Sequence, residues 1–450
     1  MRSCPELVFH ATLPAMSGSI FSSDFKTTPY WWEKTPRPVL AQEPLPKTVD
    51  VAVIGSGYTG LNAALVTARG GRNTIVFDSG DAGFGCSTRN GGQIGDSIKP
   101  GYKELCRRYG QSVALGIVKE GHNALSWIQE FVQSENIDCD FKVAGRFHAA
   151  HNKKQFRILS AEANELIPEI EDPVQVVPRS EQHHEIGTSA YHGGVVFGKH
   201  AALDPAAYHG GLLTKAIEAG VQVMPHCAVQ QLIAKNDGFT LHTESGELWA
   251  KEVIIATNGY TGELSPWQRR RVIPIGSYII ATEPLAEDVM DRLMPTDRVY
   301  SDSCKVVYYY RATPDRKRIL FGGRVSSGET DPVKSAPKLR ADMLRLFPEL
   351  HSVRISHSWM GFVAYTFDSL AHNGKHEGIH YAMGYCGTGV SMASYLGMRT
   401  GQKVLGRSEG VTGFDSIKFP TRPLYNGKPW FLPATVAWYR YRDKLARTLN

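Results

Sequence analysis

The chain has 450 residues, of which 42% are hydrophobic and 21% charged, and its formal net charge is +6. This length and apolar content suit one large or two medium globular domains and exclude a disordered chain. The charge is evenly mixed apart from one basic cluster at 269–271, so there is no extended basic stripe of the kind that a nucleic-acid backbone requires.

The first predicted unit is a β-α-β arrangement. VDVAVIGSG at 49–57 is typical of a buried parallel strand that ends in a glycine turn. GLNAALVTARGG at 60–71 has apolar residues at helical spacing, and NTIVF at 73–77 is the next strand.

The rest of the chain mixes helices with β-rich segments. Residues 105–136 are helical in character, and 215–260 indicate a helix, a strand and a hairpin-rich insert that ends in a buried strand. Strands are predicted within 272–285 and 307–324, the latter pair joined by the turn TPDRKR. Residues 378–406 predict a strand, a glycine turn and a long helix, and the tail from 407 predicts an extended wrap with a short terminal helix.

A glycine motif joins the first strand to the first helix of this unit. In Gly55-x-Gly57-x-x-Gly60, the first glycine makes the turn, the second lets a pyrophosphate approach the backbone, and the third lets the helix pack on the strand. Asp78 follows the next strand, where it can accept hydrogen bonds from ribose hydroxyls. The pattern favours NAD or FAD over three glycines that merely make a turn.

The loop GFGCSTRNGGQ at 83–93 favours FAD over NAD. A flavin laid across the sheet needs donors further along its pyrophosphate and ring, whereas NAD-binding domains have no general need for such a loop. A surface turn is the alternative interpretation.

Eight segments in fixed order carry a family resemblance. They are PYWWE, IGSGYTGLNAAL, GFGCSTRNGGQ, IDCDFKVAGRFHAAHNKKQ, VIIATNGYTGEL, YYYRATPDRKRILFGGR, MGYCGTGV and WYRYRDKLA, spread over about residues 28–446. With them the chain resembles the D-amino-acid-oxidase-like superfamily of FAD enzymes, which includes glycine and sarcosine oxidases, and most closely its γ-glutamylputrescine oxidoreductase branch.

The resemblance implies a mixed fold, α/β with α+β, in which a Rossmann-type FAD domain of the glutathione-reductase-like family 2 accompanies an antiparallel-sheet substrate domain. The expected boundaries are FAD domain 48–105, helical and substrate segment 106–190, FAD domain 191–265, substrate domain 266–354, FAD domain 355–406, and a C-terminal wrap and helix 407–450.

The resemblance also implies which residues bind FAD. The expected contacts are Gly55, Gly57, Tyr58, Thr59, Gly60, Asp78, Ser79, Ser87, Thr88, Arg89, Asn90, Gly91, Gly92, Gln93, Val229, Ala256, Asn258, Gly387, Thr388, Gly389 and Val390. The last four begin a helix whose free amides can stabilise the negative charge of a reduced flavin. Many relatives have His where this chain has Thr388. The alternative is a glycine turn before a buried helix.

The reaction implied by the family is hydride transfer from a carbon next to nitrogen to the flavin, followed by hydrolysis of the imine. The neutral amine reacts, so no obligatory side-chain base is expected. The candidate catalytic residues are Tyr309, Tyr310, Trp359 and Tyr385. For the two tyrosines, strand alternation sends one inward, although aromatic residues on a strand are usually core.

The residues after Trp359 restrict the substrate. Amino-acid oxidases of the superfamily have an Arg there to clamp the α-carboxylate, whereas this chain has Phe362, Val363 and Ala364. A primary or secondary amine is therefore expected, either polyamine-derived such as γ-glutamylputrescine or N-methylated. The alternatives are an amino-acid-type oxidase acting on glycine, sarcosine or D-amino acids, an NAD-linked dehydrogenase and a non-catalytic flavin-binding protein.

Two further departures bear on the cofactor and the electron acceptor. The cysteine that links flavin covalently in monomeric sarcosine oxidases is missing, so noncovalent FAD is expected. Leu320 stands near the position of their oxygen-activating Lys, which leaves oxygen or another acceptor open.

The cysteines and histidines bear on the redox state, the location and metal binding. Seven scattered cysteines without C-x-x-C spacing favour reduced thiols and a cytoplasmic location. No membrane span or secretory signal is expected, and Met16 is a second candidate start. His148, His151, His183 and His184 have no acid or Cys partner at ligand spacing in the sequence, so no metal is expected.

Overall fold

The computed structural model describes residues 19–448, apart from 42, 166, 171–173 and 324–330. Met16, the second candidate start, lies outside the described residues.

The α-helices are α1 Trp31–Lys34, α2 Tyr58–Arg69, α3 Tyr102–Tyr109, α4 Gln111–Ser134, α5 Lys153–Ala163, α6 Pro205–Glu218, α7 Pro266–Arg269, α8 Glu287–Leu293, α9 Pro332–Leu346, α10 Gly389–Val404 and α11 Leu432–Thr448.

The strands are β1 Phe21–Lys26, β2 Thr48–Ile54, β3 Thr74–Phe77, β4 Gln93–Ile94, β5 Arg146–Ala149, β6 Val174–Val177, β7 Gly194–Phe197, β8 Ala201–Ala202, β9 Gln222–Met224, β10 Val229–Lys235, β11 Gly238–Thr243, β12 Gly246–Ile255, β13 Ile273–Thr282, β14 Val299–Asp302, β15 Tyr309–Ala312, β16 Ile319–Gly323, β17 Ile355–Tyr365, β18 His372–His376 and β19 Ile379–Met383.

One sheet has a parallel centre in the order β9-β3-β2-β12-β19. Its strands are almost continuously apolar because α2 and α10 pack together over it. Glycine allows that close packing, since a Cβ on Gly397 of α10 would lie 2.4 Å from the Thr59 carbonyl oxygen of α2. The predicted β-α-β unit and Rossmann-type domain are confirmed.

The second sheet has nine strands in the order β1-β17-β13-β16-β15-β14-β5-β7-β6. Most neighbours are antiparallel, but β1 with β17 and β14 with β5 are parallel. One face packs on α8 and α9 around a core that includes Tyr310 and Phe321. The other face lies over the loop 83–93, so this sheet forms the roof of the candidate site. The predicted antiparallel-sheet domain is confirmed, and its edge strand β1 was not predicted.

Two of the predicted segment assignments are wrong. β17, which was expected in the third flavin segment, pairs with β13 along ten residue pairs of the nine-stranded sheet. β7, which was expected in the second flavin segment, pairs with β5 and β6 of that sheet. β7 has four residues and β17 has eleven, and neither sequence reveals which of the two sheets the strand joins. The other boundaries stay predictions.

The C-terminal helix is longer than expected. α11 has 17 residues, and Asp443 on it accepts hydrogen bonds from the amides of Lys305 and Val306 at 3.0 Å each. These two bonds fasten α11 to the loop between β14 and β15 of the nine-stranded sheet. None of the helices in the described ranges combines the length and the apolar composition that crossing a bilayer requires.

Candidate active site

The glycine turn lies at the carboxyl end of the central strands. Gly55 has φ +106°, a conformation that favours glycine. A Cβ on Gly60 would lie 1.8 Å from the Gly55 carbonyl oxygen, so α2 can pack on the turn only through a glycine. A Cβ on Gly57 would lie 2.8 Å from Ser87 Oγ, and Ala256, 7% exposed, closes the turn from β12. The turn is therefore packed so closely against its neighbours that only glycines fit at these positions.

The Asp78 carboxylate holds this turn. One of its oxygens accepts from the Ser56 amide at 2.9 Å and the other from the Gly80 amide at 3.1 Å. The Asp78 carbonyl accepts from the Cys227 amide at 2.8 Å, which brings the start of β10 and Val229 beside it. Ser79 is exposed next to it. Ser56, which sequence reasoning missed, is fully buried.

The side chains of Tyr58 and Thr59 point away from the turn. The Tyr58 hydroxyl donates to the Pro205 carbonyl at 3.0 Å, and Thr59 Oγ1 lies 2.6 Å from the Tyr385 hydroxyl. The Tyr58 amide faces the turn and donates to Ser87 Oγ at 3.0 Å. For these two residues only the backbone is placed to meet a cofactor, because helix packing uses the side chains.

The loop 83–93 is held by three tryptophan indole groups. Trp32 Nε1 donates to Thr88 Oγ1 at 3.1 Å, Trp359 Nε1 to the Arg89 carbonyl at 2.8 Å, and Trp31 Nε1 to the Asn90 carbonyl at 2.8 Å. Three consecutive loop residues are thus fixed from α1 and β17. In the sequence, Trp31 and Trp32 contribute only to the family resemblance, and their role in holding the loop was missed.

The loop also organises itself. The Asn90 side chain accepts from the Gly92 amide at 2.8 Å and donates to the carbonyls of Cys86 and Ser87 at 3.1 Å each. Arg89 Nε donates to the Phe84 carbonyl at 2.7 Å. At the loop's end, Gln93 Nε2 donates to the Tyr310 carbonyl at 3.1 Å, which ties the loop to the roof.

We expect Trp359→Phe to weaken FAD binding about tenfold. The variant keeps an aromatic ring but leaves the partly buried Arg89 carbonyl without its indole donor, which costs about 1 kcal/mol or more. Calorimetric titration of apoprotein with FAD measures the dissociation constant. Trp438→Phe is the control, since Trp438 is 55% exposed on α11 and should not change it. A drop in apoprotein stability with an unchanged FAD dissociation constant would contradict the prediction.

The roof separates the two candidate tyrosines. Tyr309 pairs with Gly322 across β15 and β16, and its ring lies over that glycine, where a Cβ would come within 2.3 Å of the ring. Its hydroxyl lies 2.8 Å from Ser277 Oγ, and a Cβ on Gly91 would lie 3.1 Å from the ring. Tyr309 therefore faces the loop. Trp359 lies on the same face, fully buried against Trp31.

Tyr310 faces the opposite side of the roof, so the structure contradicts its choice as a catalytic candidate. It is 1% exposed in the core under α9, and its hydroxyl donates to the Tyr191 hydroxyl at 3.1 Å. Alternation along β15 places only one of two consecutive tyrosines on each face. Tyr310 is a structural residue.

A second helix N-terminus lies at the far end of the site. Gly387 has φ +107°, α10 begins at Gly389, and its N-cap residue Thr388 makes no capping bond with its side chain. The Thr388 hydroxyl donates instead to the Ser97 carbonyl at 3.1 Å. A Cβ on Gly389 would meet nothing within 4 Å, and Val390 is buried behind it. The first turn of α10 is thus open to a ligand.

A small cavity lies before α10, lined among others by Lys99, Tyr385, Cys386 and Thr388. The Tyr385 hydroxyl donates to the Ala382 carbonyl at 2.7 Å and also meets Thr59, so only its ring remains for the cavity. Burial raises the pKa of the Cys386 thiol to about 11. Asn258, with φ +44°, accepts from the Gly384 amide at 2.9 Å and supports this turn from β12.

These residues fit FAD. The glycine turn and α10 present two uncapped helix N-termini, the arrangement that suits a pyrophosphate and a reduced flavin. Arg37 adds a cation beside the turn, with Nε and Nη2 buried and without a hydrogen-bond partner among the described residues. Burial lowers the pKa of Arg37, and the charges of Asp81 and Asp78 oppose this. Arg37 was missed because no motif marks it.

The expectation about metal ligands needs a correction. His151 does have acid and thiol neighbours in space, because its ligand atom and those of Cys304 and Asp443 lie within 4.8 Å of one another. His151 Nδ1 lies 2.8 Å from Ser303 Oγ, and Asp443 is bound by two amides. These bonds account for the cluster as part of the attachment of α11.

Comparisons with known proteins identify related sequences and a similar structure. Residues 50–402 match the family model DAO, FAD dependent oxidoreductase. The probable oxidoreductase OrdL of Haemophilus influenzae is 30% identical over 88% of this chain and 92% of its own length. γ-Glutamylputrescine oxidoreductase of Escherichia coli is 30% identical over 88% of this chain and 93% of its own length. Glycine oxidase from Geobacillus kaustophilus has a similar structure, with a TM-score of 0.71, 18% identity, and coverage of 84% of this chain and 99% of its own.

Proposed function

We propose that this chain, which belongs to the DAO family of FAD-dependent oxidoreductases, oxidises a primary or secondary amine whose polar group lies far from the reacting nitrogen. γ-Glutamylputrescine and related polyamine derivatives are the first candidates, and N-methylated amines the second. Because the family consists of FAD enzymes, it argues against an NAD-linked dehydrogenase. The relatives are named as oxidoreductases, which argues against a non-catalytic flavin-binding protein.

One observation carries the choice of an amine over an α-amino acid. β17 runs beside the site with Phe362, Val363 and Ala364 after Gly361, and none of these can clamp a carboxylate. A Cβ on Gly361 would lie 3.4 Å from Arg89 Cβ, so this part of β17 adjoins the loop. An α-carboxylate beside the reacting carbon would have no bidentate partner from this strand.

The chemistry that FAD supplies when bound is acceptance of a hydride from the carbon next to the substrate nitrogen. The neutral amine also loses a proton, and water hydrolyses the imine to a carbonyl compound and an amine or ammonia. The chain's own contribution is to hold that carbon under the roof and to exclude bulk water. Tyr309 presents its ring and hydroxyl there, and Trp359 holds the loop below.

Noncovalent attachment of FAD is part of the proposal. The buried Cys386 thiol donates to the Gly384 carbonyl at 3.1 Å, and its raised pKa keeps it protonated, which makes it a poor nucleophile. Acid precipitation should therefore release the flavin into the supernatant. The six described cysteines are all free thiols, which supports a reducing compartment such as the cytoplasm.

An anaerobic screen tests the amine proposal. The FAD-loaded protein is mixed with polyamines, γ-glutamyl amines, N-methyl amines, aminophosphonates, glycine and D-amino acids, and the loss of flavin absorbance is followed. We expect polyamine-type or N-methylated amines to bleach the flavin fastest. Faster bleaching by glycine or simple D-amino acids would refute the proposal. Admission of air then measures whether oxygen reoxidises the flavin.

The adjacent tyrosines offer a matched pair of variants. We expect Tyr309→Phe to slow anaerobic bleaching about tenfold, since a lost hydrogen bond is worth about 0.5–1.5 kcal/mol. Tyr310→Phe should lower the free energy of unfolding by about 1 kcal/mol and leave bleaching within about twofold. Equal slowing by the two variants would remove Tyr309 from the list of substrate contacts.

A further inference from the structure

A row of polar side chains extends the roof beyond Tyr309. Tyr309, Ser301 and His148 are direct partners across β15, β14 and β5, so they share the face that covers the loop. His148 Nδ1 lies 2.8 Å from Ser301 Oγ. Arg146 precedes His148 by two residues in β5 and therefore lies on the same face.

Arg146 is a partly buried cation without a bonding partner. Its guanidinium makes no hydrogen bond or ion pair within the described ranges, and its Nε is inaccessible to solvent. Burial lowers the pKa of Arg146 to about 10, and the charge of Asp96 opposes this. Removing a guanidinium from water without a partner is costly. A carboxylate is the group that its planar fork of donors fits.

The nearby Asp96 does not neutralise this cation. The Asp96 carboxylate lies 2.8 Å from His200 Nε2 and 3.0 Å from His122 Nδ1, so two imidazoles hold it. Burial, followed by the charges of Arg146 and Lys99, lowers the pKa of His148 to about 3, which leaves His148 neutral. The acid nearest Arg146 is therefore already bound by two imidazoles, and the charge of Arg146 has no bonded counter-charge within the described ranges.

Lys99 connects this cluster with the cavity before α10. It lines that cavity beside Cys386 and Thr388, and its charge also acts on His148. Two strand spacings across the sheet and two residues along β5 separate Tyr309 from Arg146, which is about 12 Å between their backbone positions. A substrate whose reacting carbon lies near Tyr309 would thus reach Arg146 with a chain of about eight or nine bonds.

We propose that Arg146, with Lys99 beside it, binds a carboxylate at the far end of the amine substrate. The inference rests on the proposed amine oxidation and deepens it to acidic amines, with the carboxylate about 12 Å from the reacting carbon. The carboxylate pairs with the Arg146 guanidinium, while the amine end of the substrate lies under Tyr309.

A binding experiment tests the anion site without turnover. N-Butylglutaramate, which has the carboxylate but no amine, and the uncharged N-butylpentanamide are titrated into the FAD-loaded protein by calorimetry. We expect the acid to bind about 10- to 100-fold more tightly, as a charge-assisted pair provides. Arg146→Gln should abolish this difference, and Arg146→Lys should keep part of it, since a point charge lacks the fork. Arg407→Gln, at an exposed arginine, is the control.

A turnover experiment then connects the anion site with the reaction. N-Glutarylputrescine and N-pentanoylputrescine each have one amine and differ in the carboxylate. The wild type should bleach faster with the acid at low concentration, and Arg146→Gln should lose this preference and bleach at similar rates with the two amines. If Arg146→Gln does not retain FAD, Arg146→Lys is used instead, and it should keep only part of the preference for the acid.

The outcomes separate the two proposals. Equal binding of the acid and the uncharged ligand by the wild type would overturn the anion site. If Arg146→Gln weakens the binding of both ligands equally, the anion site is also overturned. Arg146 would then have a role in packing or in binding the flavin. If neither putrescine derivative bleaches the flavin while Arg146→Gln still abolishes acid binding, the anion site stands and the proposed amine oxidation fails.

Discussion

Gly60→Ala is expected to lower the free energy of unfolding by about 3 kcal/mol and to prevent stable FAD binding. Its Cβ would lie 1.8 Å from the Gly55 carbonyl oxygen and 3.2 Å from Val53 Cγ1. The closer atom belongs to the backbone of the turn, so no side-chain rotation relieves the clash. α2 must then move off β2, and the amides at its N-terminus move with it. Thermal unfolding of the apoprotein and titration with FAD measure both effects.

Gly262→Ala is the control for this variant. A Cβ at Gly262 would meet nothing within 4 Å, so the same change of residue should leave stability within about 1 kcal/mol and FAD binding unchanged. An unaltered FAD dissociation constant in Gly60→Ala would mean that α2 does not pack on the turn as described.

The parts of the site that sequence predicts are those made by neighbours along the chain. Gly55 to Asp78 form one β-α-β unit, so the spacing of its glycines and acid determines their geometry. The turn before α10 is local in the same sense. Loop and helix propensities act within a few residues, which is why the sequence alone predicts these elements.

The parts that sequence could not predict depend on long-range register. The sequence alone does not distinguish Tyr309 from Tyr310, because both are tyrosines on the same strand. Tyr309 pairs with Gly322, which leaves room for its ring on the side of the sheet that faces the loop. Trp31 reaches Asn90 over 59 positions and Trp359 reaches Arg89 over 270. No local sequence pattern predicts which backbone carbonyl will accept a hydrogen bond from a distant indole.

The same reason explains the misjudged histidines and strands. His151 meets Asp443 only because the last helix returns to the first strands of the roof. β7 and β17 were assigned to the flavin domain, yet both pair within the nine-stranded sheet. The composition of a strand indicates that it is buried, whereas strand pairing determines which sheet it belongs to.

Gly389→Ala is expected to separate cofactor binding from folding. A Cβ there would meet nothing within 4 Å of the chain, and alanine is the better helix former by up to about 1 kcal/mol. The apoprotein should therefore unfold at an unchanged or slightly higher temperature. If the pyrimidine end of the flavin lies against the first turn of α10, the added methyl group occupies that approach. We expect the FAD dissociation constant to rise about tenfold and the reduction potential of the bound flavin to become more negative.

Gly397→Ala, in the same helix, should show the opposite pattern. Its Cβ would lie 2.4 Å from the Thr59 carbonyl oxygen at the contact with α2, so it should lower the unfolding temperature of the apoprotein. The contrast depends only on what each glycine faces, since both changes add one methyl group to α10. If Gly389→Ala leaves both the FAD dissociation constant and the reduction potential unchanged, the flavin does not approach α10, and the amides of this helix cannot be what stabilises its reduced form.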